Sequence, residues 1–535
     1  MRTHARTPLM AVLAVAAAAA AAIAWAVVTL ESANSGLRIE QHRFGQIPVT
    51  VYAPASGSNL PVVVIAHGFA GSQQLMQPFA LTLARNGYLA VTFDFPGHGR
   101  HPVPLPGSLR EHDALLAALL GTIDVVIRGA GALPAAGGRV ALLGHSMASD
   151  LVVRHAQAHP QIVATVGVSL VYGGAQPLAP RNLLAIYGSL EPQAVQAFGR
   201  SMVAGSPEAA IPGRTLGSFA DGSARRYALA PGAEHIGVLY HSHSLREALQ
   251  WFDQAFDRPT PAAFTPFVAA RGPALAILFA GVLALGWALA GLLGRLNAGR
   301  RASAGRRFAP RTANETASAG RRDRGGWLVV LLAPALLTPL LLRVVPTSFL
   351  PILLGDHLLL HFAVYGLLTA AGILWLIRRG TIAAPQPPQV SRAGALSALA
   401  VVLWPALALG WPIDRWLFNL APAAGRSGLI VLMACGTLIW FAADEWITRH
   451  PAAPRWAYPA TKGLFLASLA IAVALDLSRL FFLIIIIPAI LLLFVVFGLF
   501  SRWSWRATGS PWPAALAGAL AFAWGIAVTF PAVAR

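Results

Sequence analysis

The residues best suited to covalent chemistry lie in the stretch ALLGHSMASD (141–150), whose centre, Gly144-His145-Ser146-Met147-Ala148, departs from GxSxG only at its last position. That pattern sets a serine on a sharp strand-to-helix turn, with its hydroxyl exposed above the sheet. The run 139–143 reads as the strand, and a helical pattern follows Ser146. Ala148 adds one methyl group at the second small position, a modest steric change. A serine here can also be an ordinary helix N-cap, but strand, turn and helix in this order favour a nucleophile. Such a serine needs a base to take its proton and an acid to orient the base, in the chain order Ser, acid, His. His235, in ALAPGAEHIGVL, follows the last strand and is the candidate base; His241 and His243 lie further from the strand end. Glu191, in AIYGSLEP, stands just after a strand and is the favoured acid, with Asp221 in SFADGSARR the alternative or a plain turn residue before Gly222. Backbone N–H groups must meet the developing oxyanion, and Met147 and Phe69 are the candidates. His67 and Gly68 of HGFAGS, Gly144, and Asp94 of DFPGHGR support the motif set. His145 reads as a pocket-wall or surface residue, and Asp150 as a charge complementing the N-terminus of the helix.

Elements able to hold these groups recur from residue 46. Short apolar runs at 61–68, 88–100, 139–146, 162–171, 182–188 and 225–232 alternate with helical patterns, the mark of a mostly parallel sheet covered on both faces. Capping boxes at Ser108–Glu111 and Ser244–Glu247 predict helix starts. Residues 257–267, DRPTPAAFTPF, read as a linker out of this domain. Only ten residues separate Val171 from Asn182, too few for a large lid; residues 192–224, with a helix expected over 193–204, form the main insertion near the site.

The rest of the chain is oil. Of 535 residues, 56% are hydrophobic and 11% charged, with a mean hydropathy of +0.61; soluble domains carry about a quarter charged residues. Apolar runs at 8–30, 273–294, 327–345, 357–377, 393–411, 427–445, 460–476, 480–501 and 512–532 are nine candidate spans. Each crossing changes side, and Arg and Lys collect in cytoplasmic loops. With Arg2 and Arg6 inside, the loops holding nine Arg at 295–324, Arg378, Arg379 and Arg392, then Arg449 and Arg455, then Arg502 and Arg506, all fall inside. The expected organisation is a signal anchor at 1–30, an exported domain at 31–262, and a polytopic membrane domain at 263–535 with an Arg-rich inner loop at 295–326.

The net charge of +19 does not indicate nucleic-acid binding: residues 31–270 hold 15 Arg against 14 acidic residues, so the excess lies in the membrane part and its loops. The lone cysteine, Cys435, excludes disulfides and thiolate clusters. With 39 Arg and one Lys (Lys462), the composition suggests a GC-rich bacterial source and hence a bacterial cytoplasmic membrane. No metal or cofactor is expected, since no HExxH, CxxC, P-loop or GxGxxG pattern stands in a supporting context. Asp356, His357 and His361, with the two histidines on one helix face, read as interfacial polar residues in preference to a metal or proton site, and Asp444, Glu445, Asp476 and Arg479 likewise as interfacial residues at span ends.

HGFAGS, DFPGHGR, GHSMA, GSLE and GAEH, in this order, make residues 40–257 resemble the α/β-hydrolase superfamily near its dienelactone-hydrolase, serine-aminopeptidase and small-esterase branches. The resemblance implies an eight-stranded hydrolase fold with Ser146, His235 and an acid as the triad. The expected activity is serine hydrolysis of small, lipid or envelope esters outside the membrane. Peptidase or acyltransferase activity is a variant of the same chemistry, and a transporter with an accessory hydrolase domain is the alternative. The expected partners are an ester or lipid-like substrate and membrane lipid.

Overall fold

The computed structural model describes residues 8–106, 112–176, 178–204, 210–258, 265–296, 324–384, 392–450, 452–454 and 456–534. It separates into two compact units, one of residues 24–278, 412–424 and 528–535, the other of residues 1–23, 279–411 and 425–527.

The first unit is built on a sheet. Its elements in chain order are β1 (Leu37–Phe44), β2 (Ile47–Pro54), β3 (Leu60–Ala66), α1 (Gln77–Arg85), β4 (Leu89–Phe93), α2 (His112–Gly131), β5 (Ala136–His145), α3 (Met147–Ala158), β6 (Ile162–Val168), β7 (Leu183–Gly188), α4 (Gln193–Ala204), β8 (Thr215–Leu216), β9 (Arg225–Ala230) and α5 (Ser242–Ala255). The strand order is β1-β2-β4-β3-β5-β6-β7-β9-β8, with β4, β3, β5, β6, β7 and β9 parallel. Parallel strands covered on both faces must be apolar throughout, and Val62 to Ala66 are wholly buried. Phe79 of α1 and Trp251 and Phe252 of α5 share one core with Val63, Ile65, Ala141 and Leu143.

Nine strands stand where the resemblance implied eight. The two-residue β8 pairs with the edge of β9, and β1 lies before the region where strands were expected. Its sequence, LRIEQHRF, is largely exposed and mostly polar, so apolar runs do not reveal it; pairing with β2 across Gly45 holds it. The helix expected from Ser244 begins two residues earlier. His241 Nδ1 caps it by accepting from His243 N at 3.2 Å, while Glu247, the expected partner in the box, pairs with Arg226 at 2.9 Å. A tertiary ion pair has displaced the local motif. The Ser108–Glu111 box lies outside the described residues.

Ten helices among the described residues are long and apolar enough to cross a membrane. Nine coincide with the runs read from sequence. The tenth, Asp113–Gly131, lies in α2 of the sheet unit, where length and hydropathy alone do not distinguish a span from a covering helix. The span expected over 393–411 continues as a helical path through a π-turn at Ala406–Gly410 to Trp416.

The polar residues of the second unit are more deeply placed than their span-end positions imply. Asp444 and Glu445 are each 2% exposed and His361 is wholly buried. Asp444 pairs with Lys462, while Glu445 accepts from Tyr458 Oη at 2.8 Å and Ser501 Oγ at 2.6 Å. Buried charge persists only when it is paired and hydrogen-bonded in this way. Asp356 is occupied by its own loop, accepting from the N–H groups of Phe349 and Leu350 at 2.9 and 2.6 Å.

Candidate active site

Ser146 follows the last residue of β5 and precedes α3, with φ 53° and ψ −119°. An L-residue at positive φ is strained, and the surroundings show what imposes it. A Cβ on Gly144 would lie 2.3 Å from the Ala148 carbonyl oxygen, so the chain doubles back too closely for any larger residue at 144. Ala148 is itself completely buried, and its single methyl fits the turn. Ser146 N donates to Val168 O at 2.9 Å, fastening the turn to the neighbouring strand.

Although Ser146 occupies the capping position of α3, its side chain makes no capping bond. Ser146 Oγ instead lies 3.0 Å from His235 Nε2, and His235 Nδ1 lies 3.0 Å from Glu191 Oε2. Since a carboxylate only accepts, Nδ1 carries the ring proton and Nε2 presents its lone pair to the serine hydroxyl. Glu191 is 4% exposed, and its Oε1 accepts from Gly188 N at 2.8 Å and Ser169 Oγ at 2.7 Å. Three donors therefore surround the carboxylate and fix its direction. Asp221 stands in an exposed turn, where it accepts from Ser223 N at 2.8 Å. Neither His241, which caps α5, nor His243, 3.8 Å from Glu247, meets the serine.

His145 is not a surface residue. It is 2% exposed, and its Nε2–H donates to His235 O at 3.0 Å, steadying the loop that carries His235. Burial holds its pKa well below the ordinary histidine value, so the ring stays neutral at neutral pH. His67 is likewise kept neutral by burial; its Nδ1–H donates to Gly68 O at 2.8 Å and its Nε2 accepts from Phe95 N at 3.2 Å. Gly68 brings the loop after β3 against the elbow, for a Cβ there would meet Ser146 Cβ at 3.0 Å. The following residue is Phe69, while Met147 opens α3, so both expected oxyanion donors belong to segments that flank the serine. Asp150 pairs with Arg154 at 2.7 Å.

Asp94 joins the two loops at the ends of β3 and β4. Its carboxylate accepts from Gln73 N at 2.8 Å and from Gln73 Nε2 and Arg100 N at 3.0 Å each. The same loops are gripped by a distant segment of this unit, residues 412–424. Arg100 Nε donates to Asn419 Oδ1 at 2.7 Å and Arg100 Nη2 to Asp414 Oδ2 at 3.1 Å, while Asn419 N donates to Ser72 Oγ at 2.9 Å. Residues 528–535 add main-chain bonds, Leu105 N to Ala532 O and Ala532 N to Gly97 O, each 2.8 Å. No local pattern in 412–424 announces this role, because its partners lie more than 300 residues earlier in the chain.

The fold is that of the α/β hydrolases. Residues 57–202 match the family described as serine aminopeptidase, S33. Among solved structures, dienelactone hydrolase from Anabaena variabilis is similar at 17% identity, covering 40% of this chain and 96% of that one with a TM-score of 0.30. The thioesterase domain from the curacin biosynthetic pathway is similar at 17% identity, covering 40% of this chain and 99% of that one with a TM-score of 0.28. No curated protein matches the sequence. Within the hydrolase unit, Ser169, Gly188, Asp414 and Asn419 support the site or its loops without having been given a role from the sequence; of these only Gly188 lies in a motif quoted there, GSLE.

Replacing Glu191 by Gln should lower the rate of Ser146 acylation on the order of 10³–10⁴-fold, whereas Asp221→Ala should change it less than about twofold, as expected for a surface residue; single-turnover kinetics with a chromogenic ester measures both. Asn419→Ala should slow the same step roughly ten- to a hundredfold through displacement of the Ser72 and Arg100 loops, with the melting temperature of the detergent-solubilised chain as the control for folding.

Proposed function

We propose that the chain is a membrane-anchored serine hydrolase that cleaves carboxylic esters outside the cytoplasmic membrane, with Ser146 as nucleophile, His235 as base and Glu191 as the orienting acid. The observation that carries this reading is the unbroken line from Glu191 through His235 to Ser146, with both contacts at 3.0 Å. Ser146 Oγ attacks the acyl carbon as its proton passes to His235 Nε2. Glu191 stabilises the imidazolium, and the N–H groups of Met147 and Phe69 receive the oxyanion. Collapse expels the alcohol, which takes the proton from His235. Water, deprotonated by the same nitrogen, then releases the acid and frees the serine.

Esters are favoured over peptides bearing a free N-terminus because, among the described residues, the carboxylates nearest His235 in the chain are engaged. Glu191 holds His235, and Glu234 accepts from the N–H groups of Ile236 and Gly237, at 2.8 and 2.5 Å. An N-terminal ammonium requires a carboxylate turned toward the substrate.

The external location rests on two independent arguments. Counting crossings against basic loops places residues 31–272, 412–424 and the C-terminus on one side. Those same three segments are the ones that make up the sheet unit, bonded to one another through Arg100, Asp414, Asn419 and Ala532. An odd change in the number of crossings between them would separate segments that fold together.

A fluorophosphonate probe should label the wild-type chain in intact spheroplasts and leave Ser146→Ala unlabelled; a folded wild type that resists the probe would refute serine hydrolysis. In a Cys435→Ala background, a membrane-impermeant maleimide should modify Asp221→Cys in intact cells but reach Ser303→Cys only after lysis. The reverse pattern would invert the topology.

A further inference from the structure

At the far end of β5 from Ser146, three potential ligands converge, with Asp124 beyond hydrogen-bond distance of both histidine rings. Asp124 projects from α2, His155 from the last turn of α3, and His159, four residues on, from the position just after that helix. One ligand atom from each lies within 4.8 Å of the others. Asp124 Oδ1 is 3.6 Å from His155 Nδ1 and 4.0 Å from His159 Nε2, too far for hydrogen bonds. A Zn²⁺ ion with bonds of about 2.0–2.2 Å places tetrahedral ligand atoms roughly 3.3–3.5 Å apart. The two gaps to Asp124 exceed that spacing by about 0.1 to 0.7 Å and the histidine pair lies within 4.8 Å, so binding an ion requires the three side chains to draw together.

We propose that Asp124, His155 and His159 form a three-ligand site for a divalent late first-row transition ion, tying α2 to the C-terminal end of α3. Two imidazoles and one carboxylate suit such an ion better than Ca²⁺ or Mg²⁺, which take oxygen ligands. In the metal-free geometry His159 Nδ1–H donates to His155 O at 2.8 Å, leaving Nε2 as the lone-pair nitrogen on the side of Asp124. The two rings are stacked, with centroids 4.1 Å apart and planes at 14°, so ligation requires one to turn about its Cβ–Cγ bond. His159, with 37% of its side chain exposed, can turn by giving up its bond to His155 O, whereas the His155 side chain is 3% exposed and forms the fixed wall. A cleft of about 260 Å³, also lined by Arg128, Val140 and Ile162, opens beside the cluster and leaves room for a fourth ligand. Arg128 is exposed; its charge is screened by solvent and is suited to an anionic fourth ligand rather than to blocking the cation.

The test uses the full-length chain in detergent, purified without a polyhistidine tag and stripped with a chelator. Titration with Zn²⁺ against a chromophoric competitor should show one tight equivalent that is absent in the His155→Ala/His159→Ala chain and weakened roughly tenfold or more in Asp124→Asn. Co²⁺ should give the visible absorption of a low-symmetry nitrogen–oxygen site in the wild type alone. Retained fluorophosphonate labelling and an unchanged melting curve without metal show that the variants fold. If the double variant is unstable, His159→Ala alone, at the more exposed position, serves the same comparison. Equal Zn²⁺ uptake by wild type and folded variant, indicating only adventitious binding to the other histidines, would overturn the proposal.

Discussion

The sharp turn at Ser146 is the constraint on which the remainder of the hydrolase unit depends. A positive φ at a serine costs on the order of 1–3 kcal/mol, and it survives because both sides of the turn are built into rigid elements. Gly144 lies at the end of a strand in the middle of the sheet, one residue before its last, and Ala148 stands in the first turn of a helix packed against that strand so closely that no side chain fits at 144. The parallel strands, buried on both faces, supply the rigidity. Turning the hydroxyl away from the helix leaves it available to His235, so local strain is converted into a directed hydrogen bond.

Around this turn the polar groups are organised from outside inward. Glu191 is aimed by Ser169 and the Gly188 N–H, His235 by Glu191, and the loop of His235 by His145. On the opposite side Asp94 couples the loops after β3 and β4, and Arg100 passes the connection to Asp414 and Asn419. Each of these residues therefore has a partner that limits its motion, and preorganisation of this kind is what lowers the cost of reaching a charged transition state. The segments completing the arrangement, 412–424 and 528–535, lie between or after apolar helices, so the hydrolase unit is not a contiguous stretch of sequence.

The second unit solves a different problem. Charges removed from water must be neutralised within the helical packing, and the pairs Asp444–Lys462 and Glu445–Arg449, with Tyr458 and Ser501 as hydrogen-bond donors, accomplish this. Lys462, the one lysine in the chain, also lies 3.5 Å from the Tyr458 ring centroid. Such a network holds helices in a defined register, which pure apolar packing in lipid does less well.

The local features of the site were legible in the sequence because each depends on neighbours in the chain. The small residues flanking Ser146, the continuous apolar strands, and a glutamate and a histidine just beyond strand ends all follow from backbone geometry over a few residues. The nine long apolar runs are equally local, since spanning length and hydropathy are properties of single segments. Strand β1 was invisible because its exposed, polar face gives no apolar run, and the start of α5 was misplaced because Arg226 draws Glu247 away from the cap. The position of Glu191 just after a strand already favoured it over Asp221, whereas placing Asp444 and Glu445 in the interior and bringing Asp414 and Asn419 to Arg100 required the tertiary structure. These last outcomes depend on distances between residues far apart in sequence, which composition and spacing do not encode; only the packed chain determines which carboxylates are drawn into the interior and which loop a distant asparagine holds.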